Sequence, residues 1–293
     1  MSGMSVATRV TNPVKVVLAP SGLRHEGRAA WMVTRRELIR MRGDRTRMLA
    51  MLAQPVLFLF VLGNGLAGLT SGSLGGVDFK TFMFPGILAT STLFTAMFAA
   101  ISVVWDREYG FLREMMVAPV SRTSIILGKA MGGSIVATLQ GAIIILLGPL
   151  VGVSLTVPLV IQLIVEIFII SFAITSFGLV LASRVKQMQA VMGIMQMIML
   201  PLTMLSGAMY PLTNLPTWLD VLVKLNPLTY GVHAVRDSVF SSLPADEQAA
   251  LAPLNPPIEV FGVDISATAG MGIVLAIGVA LLAIAALEFR RSE

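Results

Sequence analysis

The chain has 293 residues, of which 56% are hydrophobic and 13% charged, with a net charge of +5 at pH 7, and its mean hydropathy is +0.84. That balance excludes an ordinary soluble domain, and the absence of cysteine excludes disulfides and thiolate metal sites. The basic residues gather in short stretches between long apolar runs, which argues for membrane topology rather than nucleic-acid binding.

Residues 1–23 are small, polar and broken by proline, and read as a mobile tail. No apolar run occurs before residue 48, so no cleavable signal peptide is expected. Residues 24–47 carry eight arginines, with Trp31, Thr34, Leu38 and Met41 recurring at three- and four-residue steps. This pattern predicts a basic amphipathic helix lying on an anionic leaflet, as a topological anchor or as a surface that also touches a partner.

Six runs reach the ~20 residues needed to cross a hydrocarbon core. They lie at about 48–69, 81–105, 125–150, 157–183, 187–210 and 266–289, within a transmembrane domain over 48–289. Pro55 falls near the start of the first run, where it can kink it. The third run opens with Gly128, Gly132 and Gly133, a spacing that lets another helix come close. Residues 290–293 form a short tail.

Between the second and third runs lies DREYGFLREMMVAPVSRTSIILGK, Asp106–Lys129. Asp106, Arg107, Glu108, Arg113 and Glu114 would each cost roughly 2.5–3.5 kcal/mol at the centre of a span, so the stretch is expected outside the bilayer. Phe111, Met115 and Ala118 share a helical face, Gly110 permits a bend and Pro119 stops the helix. A short amphipathic helix over 106–119 follows, with Trp105 and Tyr109 at the level of an interfacial aromatic belt.

The segment 211–265 is mostly polar and rich in proline. Trp218, Leu219, Leu222 and Leu225 oppose Asp220 and Lys224 in a helix too short to span, which lies at or dips into the outer interface. Pro227 breaks it, and Tyr230–Phe240 is expected to return as a second such helix. Eighteen of the twenty-one Lys and Arg fall on one side of this topology. The positive-inside rule then places both termini and the 106–124 stretch in the cytoplasm, and 211–265 outside.

No catalytic constellation is present. His25 and His233 fall on opposite sides of the membrane, and the chain has neither a G-x-x-x-x-G-K-[ST] phosphate loop nor a G-x-S-x-G elbow. Glu166, one turn after Gln162, is the acid within a span. It is either a proton or substrate site, or an inter-helix hydrogen bond that fixes packing. Met188, Met192, Met195 and Met199 share one face of the fifth run, beside Gln189 and Gln196. Such a face suits varied apolar partners in a cavity, or ordinary packing between spans.

Two motifs carry a family resemblance. One is Arg107-Glu108-Tyr109-Gly110-Phe111-Leu112, continuing through Arg113, Glu114 and Met115 to Val117-Ala118-Pro119-Val120-Ser121-Arg122. The other is Ser206-Gly207 to Tyr210-Pro211, then Leu215-Pro216-x-Trp218, Asn226-Pro227-Leu228-Thr229-Tyr230 and Ala234-Val235-Arg236. With six spans and a basic amphipathic helix, the chain resembles the membrane subunit of a type-2 ABC exporter of the daunorubicin/doxorubicin-resistance kind.

The resemblance implies an all-α polytopic membrane protein with six transmembrane helices, an N-terminal connecting helix, a cytoplasmic coupling helix and an external re-entrant segment. It implies a cell inner membrane location and two permease subunits, identical or homologous. Each would dock on an ABC ATPase subunit that holds ATP and Mg, this chain holding no cofactor. The coupling helix, from Arg107 to Met115, would fit a groove in that ATPase. The second and fifth spans would line the substrate cavity through Phe94, Phe98, Met192, Met195, Gln196 and Met199. Pro211, Pro216, Trp218, Asn226, Pro227, Tyr230 and Arg236 would build the outer cap. The substrates implied are drugs or lipid-like amphiphiles. A polysaccharide or glycolipid exporter and a proton-coupled carrier using Glu166 are the alternatives.

Overall fold

The structure is a computed structural model that describes residues 22–70, 77–110, 120–185, 187–213, 215–260 and 262–291. Helix α1 (Leu23–Gly43) precedes the bundle. The first span is α2 (Arg45–Leu57), a π-helical turn over Phe58–Leu62, and α3 (Gly63–Thr70). The second is α4 (Phe79–Ala100) followed by α5 (Ser102–Glu108), the third α6 (Arg122–Ile145) and the fourth α7 (Val157–Arg184). The fifth is α8 (Met188–Leu205). Helices α9 (Thr217–Leu225), α10 (Pro227–Phe240) and α11 (Ala245–Leu251) precede a hairpin of β1 (Ile258–Val260) and β2 (Val263–Ile265). The sixth span is α12 (Ala267–Arg291). Among the described residues six helices are thus long and apolar enough to cross a membrane, and the chain is an all-α polytopic membrane protein.

Local chemistry sets the helix ends. Ser121, Thr156 and Asn226 accept the amides of Ser124, Leu159 and Leu228, and so cap α6, α7 and α10. The third helix begins three residues earlier than its apolar run. It ends at Ile145, because Gly148–Val151 winds into a 3-10 turn with Pro149 and closes on Gly152 at φ 86°.

Helix α4 is the axis of the core. Most of its residues from Thr81 to Met97 are buried, while α2 and α8 lie at the periphery and expose much of their apolar surface. Helices α6 and α7 pack on α4 and on each other, and α12 packs on α7. The small residues explain how closely they meet. A Cβ on Gly133 would lie 2.8 Å from Thr175 Cγ2, and one on Gly278 would lie 2.9 Å from the Ala173 Cα.

Of the face that the spacing of α1 suggested, Thr34 is buried, Leu38 and Met41 are half-buried and Trp31 is 59% exposed. The helix seats Ala30, Thr34 and Glu37 against α6. The seat is made by α6, where a Cβ on Gly128 would come within 2.6 Å of the Ala30 carbonyl oxygen and of Val33. Thr34 Oγ1 also donates to the Gly128 carbonyl at 3.1 Å. At its start, Glu26 accepts from the hydroxyls of Ser121 and Ser124, which hold its carboxyl below the usual value.

Candidate functional site

Two cavities adjoin between the first span and the α4–α6–α8 side of the bundle. The inner one has a volume of about 360 Å³ and opens beside Glu37, Arg40 and Asp44, with Ser102 and Trp105 in its wall. The outer one has about 470 Å³ and runs past Gln54, Phe58, Thr90 and Phe94 to Met204 and Met209. Both are lined by Met51, Thr95, Phe98 and Gln140. These four residues are therefore the neck of one slot.

The neck is built by proline chemistry. Pro55 has no N–H to give the Met51 carbonyl, its partner one turn earlier in the helix. Gln140 Nε2 donates to that carbonyl at 3.3 Å, while its Oε1 accepts from Thr95 Oγ1 at 2.8 Å. One amide on α6 thus ties α2 to α4. The sequence reading missed Gln140. Its only signal was a lone amide in an otherwise apolar and small-residue run.

The expected cavity residues divide. Phe98 lines both cavities, Phe94 the outer and Met192 the inner, together with Met188. Met195 and Met199 are 1% and 3% exposed and pack into the core instead. Gln196 is exposed on the outside of α8 and lines neither cavity. The methionine face borders slot and core at once.

A buried charge cluster lies behind Glu37 and Ser102 in the wall of the inner cavity. Lys129 Nζ lies 2.5 Å from Glu37 Oε1, 3.1 Å from Ser102 Oγ, and in direct contact with Asp106 Oδ2. Arg36 reaches the other Asp106 oxygen at 2.7 Å. This corrects the sequence reading of Asp106 and Lys129 as solvated loop charges. Asp106 is 3% exposed on α5, which continues the second span, and Lys129 is 3% exposed on α6. Each is admitted because the other neutralises it. The cluster fastens α1, α5 and α6 together.

Of the expected coupling stretch, Arg107, Glu108, Tyr109 and Gly110 are described; Phe111, Leu112, Arg113, Glu114 and Met115 lie outside the described residues. Arg107 Nη1 donates to the Ala182 carbonyl at 3.4 Å and its guanidinium lies 5.9 Å from the Phe289 ring, so it gathers the ends of α7 and α12. Glu108 Oε1 accepts the Met188 amide at 2.8 Å and so supplies the N-terminal cap that α8 lacks from its own Gln187. Tyr109 is 73% exposed, and Gly110 turns the chain at φ 79°. Glu108→Ala is expected to lower thermal stability by about 1 kcal/mol, and Glu108→Gln by less. Equal melting of parent and both variants would show that the carboxylate does not hold that amide.

At the other end the chain turns at Gly207, φ 72°, against α4. A Cβ on Gly86 would lie 1.8 Å from the Ala208 carbonyl oxygen. Arg236 Nη2 donates to the Gly207 carbonyl at 2.7 Å, and the guanidinium lies 4.9 Å from the Phe82 ring. Asn226 Nδ2 donates to the Leu202 carbonyl left open at the end of α8, and Thr229 Oγ1 donates to the Val223 carbonyl at 2.8 Å. Tyr230 Oη donates to the Lys224 carbonyl at 2.8 Å. Trp218, Leu222 and Leu225 on α9 are exposed, as lipid-facing groups would be. Pro216 precedes α9 and Pro227 opens α10 at its first turn. Pro211 lies in the link just after the Ser206–Ala208 turn.

Glu166 is buried on α7. Its Oε1 accepts from Ser238 Oγ at 2.6 Å and from Gln162 Nε2 at 3.2 Å, and Gln162 also donates to Ser238 at 2.7 Å. The triad fastens α7 to α10 and opens on neither cavity of the slot.

The comparisons with known proteins agree with this architecture. The family description "ABC-2 type transporter" matches residues 28–240. The chain is 29% identical over 212 residues to the putative transport permease ycf38 of Cyanophora paradoxa, covering 70% of this chain and 72% of that protein. It is 32% identical over 159 residues to the probable multidrug ABC transporter permease YbhR of Escherichia coli, covering 53% and 42%. To Nodulation protein J of Rhizobium leguminosarum bv. trifolii it is 28% identical over 191 residues, covering 64% and 72%. The match thus spans less than half the length of the multidrug relative. The matched residues run from α1 through all of α10. With the family match over most of its length and relatives named as transport permeases, this chain belongs to the ABC-2 type transporter family as a membrane permease.

Proposed function

We propose that the chain is the permease subunit of an ABC exporter that carries drugs or lipid-like amphiphiles out of the cytoplasm or the inner leaflet. The observation that carries this reading is the slot: two adjoining cavities with mainly apolar walls, a charged mouth at the α1 end and a closed turn at Ser206–Ala208 beyond the other. An amphiphile entering beside Arg40 and Asp44 would place its apolar part along Phe98 and Phe94. The chain has no phosphate loop, so the work is assigned to a separate pair of ATPase subunits that bind ATP and Mg. These would dock at the 106–119 stretch in the cytoplasm, with both termini on that side. A second permease copy, identical or homologous, would cover the exposed Met192, Met197 and Leu200 of α8.

Inside-out vesicles containing the purified complex test this reading. Uptake of a fluorescent amphiphile is expected with ATP and Mg, to stop with vanadate, and to ignore collapse of the proton gradient. Glu166→Gln is expected to leave that uptake near the parent rate, because the amide still accepts from Ser238. Uptake that follows the gradient, needs no ATP and vanishes in Glu166→Gln would replace the reading with a proton-coupled carrier.

A further inference from the structure

The neck of the slot has a chemistry of its own. Gln140 and Thr95 are 6% and 3% exposed, yet both line both cavities. The Thr95 hydroxyl proton is already shared between Gln140 Oε1 at 2.8 Å and the Ser91 carbonyl at 3.1 Å, and one Gln140 N–H spans 3.3 Å to the Met51 carbonyl. That second bond is long for an amide–carbonyl pair, and it exists only because Pro55 left the carbonyl vacant. The second Gln140 N–H has no protein partner among the described residues. An incoming acceptor is therefore offered one N–H outright, and can take the other as α2 moves away. The π-helical turn at Phe58–Leu62, one residue past α2, gives that movement a pivot.

The walls beyond the neck select against charge. None of the side chains lining the outer cavity is ionisable. Thr90 and Ser91 donate their hydroxyl protons to their own helix, at 2.9 Å in each case, which turns their oxygens toward accepting. Gln140 thus meets an acceptor, and the hydroxyl oxygens meet a donor. A hydroxyl or an amide is both. A full charge at this depth would find no counter-ion and would cost several kcal/mol.

We propose that Thr95 and Gln140 form the headgroup site of the slot, and that its ligand is a neutral amphiphile bearing hydroxyl or amide groups. This deepens the exporter reading and rests on the slot being the substrate path. Gln140 is the specificity-determining residue. It holds the polar group of the ligand in the neck, while Phe94 and Phe98 hold the tail.

Equilibrium binding decides it without ATP or an ATPase. The chain is placed in lipid nanodiscs and titrated with three probes of equal chain length: an alkyl glucoside, an alkyl trimethylammonium and an alkyl sulfate, with empty nanodiscs subtracted. The glucoside is expected to bind at least tenfold tighter than either ion. Gln140→Leu is expected to weaken the glucoside about tenfold, the loss of one good hydrogen bond. Gln140→Glu keeps the side chain's size and its bond from Thr95, and is expected to turn the preference to the ammonium probe. A role in packing alone would not move that preference, so this variant decides the matter even if Gln140→Leu does not fold. Equal binding of the three probes by the parent, or an unchanged order in Gln140→Glu, overturns the proposal. Selective binding without ATP-driven uptake would overturn the exporter reading and leave the headgroup site standing.

Discussion

Replacing Lys129 by methionine is expected to cost about 3–5 kcal/mol of stability, enough to leave little folded protein. The substitution strands Glu37, and half of Asp106, as buried carboxylates facing an apolar side chain. Arg36 still reaches Asp106, but from a side chain that is 39% exposed. The measurement is the melting temperature of the detergent-solubilised protein. The triple change Lys129→Met with Glu37→Gln and Asp106→Asn removes all three charges and is expected to recover most of the loss, since the cost lies in unpaired charge rather than in missing attraction. If the triple variant melts no higher than Lys129→Met, the cluster does not hold these helices by charge balance.

The second large effect is expected at Gly86. Even alanine there places a Cβ 1.8 Å from the Ala208 carbonyl oxygen and 2.6 Å from its carbon. The obstructing atoms are backbone, so no rotamer change relieves the clash. Gly86→Ala is expected to prise the Ser206–Ala208 turn from α4 and to lengthen the Arg236 bond to Gly207. The loss should lie at or above the upper end of the ~1–3 kcal/mol typical of overpacking. Gly65→Ala is the control. It lies in the first span with no atom within 4 Å of the added methyl, and is expected to be neutral or slightly stabilising. Equal melting of the two variants would mean that the turn is not pressed onto α4.

The six spans were legible because a run of about 20 apolar residues has few other uses. The doubled-back helices before the sixth span were legible too, since Pro216 and Pro227 bracket an amphipathic stretch too short to cross. The charge cluster was not. Lys129 and Glu37 are 92 residues apart and Lys129 and Asp106 are 23 apart, so each charge looked like a loop residue beside a span. A hint existed in Lys129 itself, which sits one turn inside the third apolar run. Gln140 was hidden for a related reason: its meaning lies in a carbonyl on another helix, freed by a proline 85 residues earlier in the chain. The methionine stripe was legible only as a face. Periodicity established a common face, but a face covers about a third of a helix's circumference. On α8 that arc borders the slot at Met188 and Met192 and the core at Met195 and Met199. Glu108 read as part of a docking surface, and a carboxylate that caps a later helix has no local signature.

The ion pair between Asp106 and Lys129 has a consequence for biogenesis. On leaving the ribosome, the second hydrophobic segment carries an acid at its end, and the third carries a base one turn within its apolar run. Released singly into lipid, each would bring an uncompensated charge. Released together, they bring a contact in which the charges already cancel. The two segments therefore belong in the membrane as one hairpin rather than as successive independent insertions. The arginine-rich helix made before them completes its seat, at Glu37, only once that hairpin is in place.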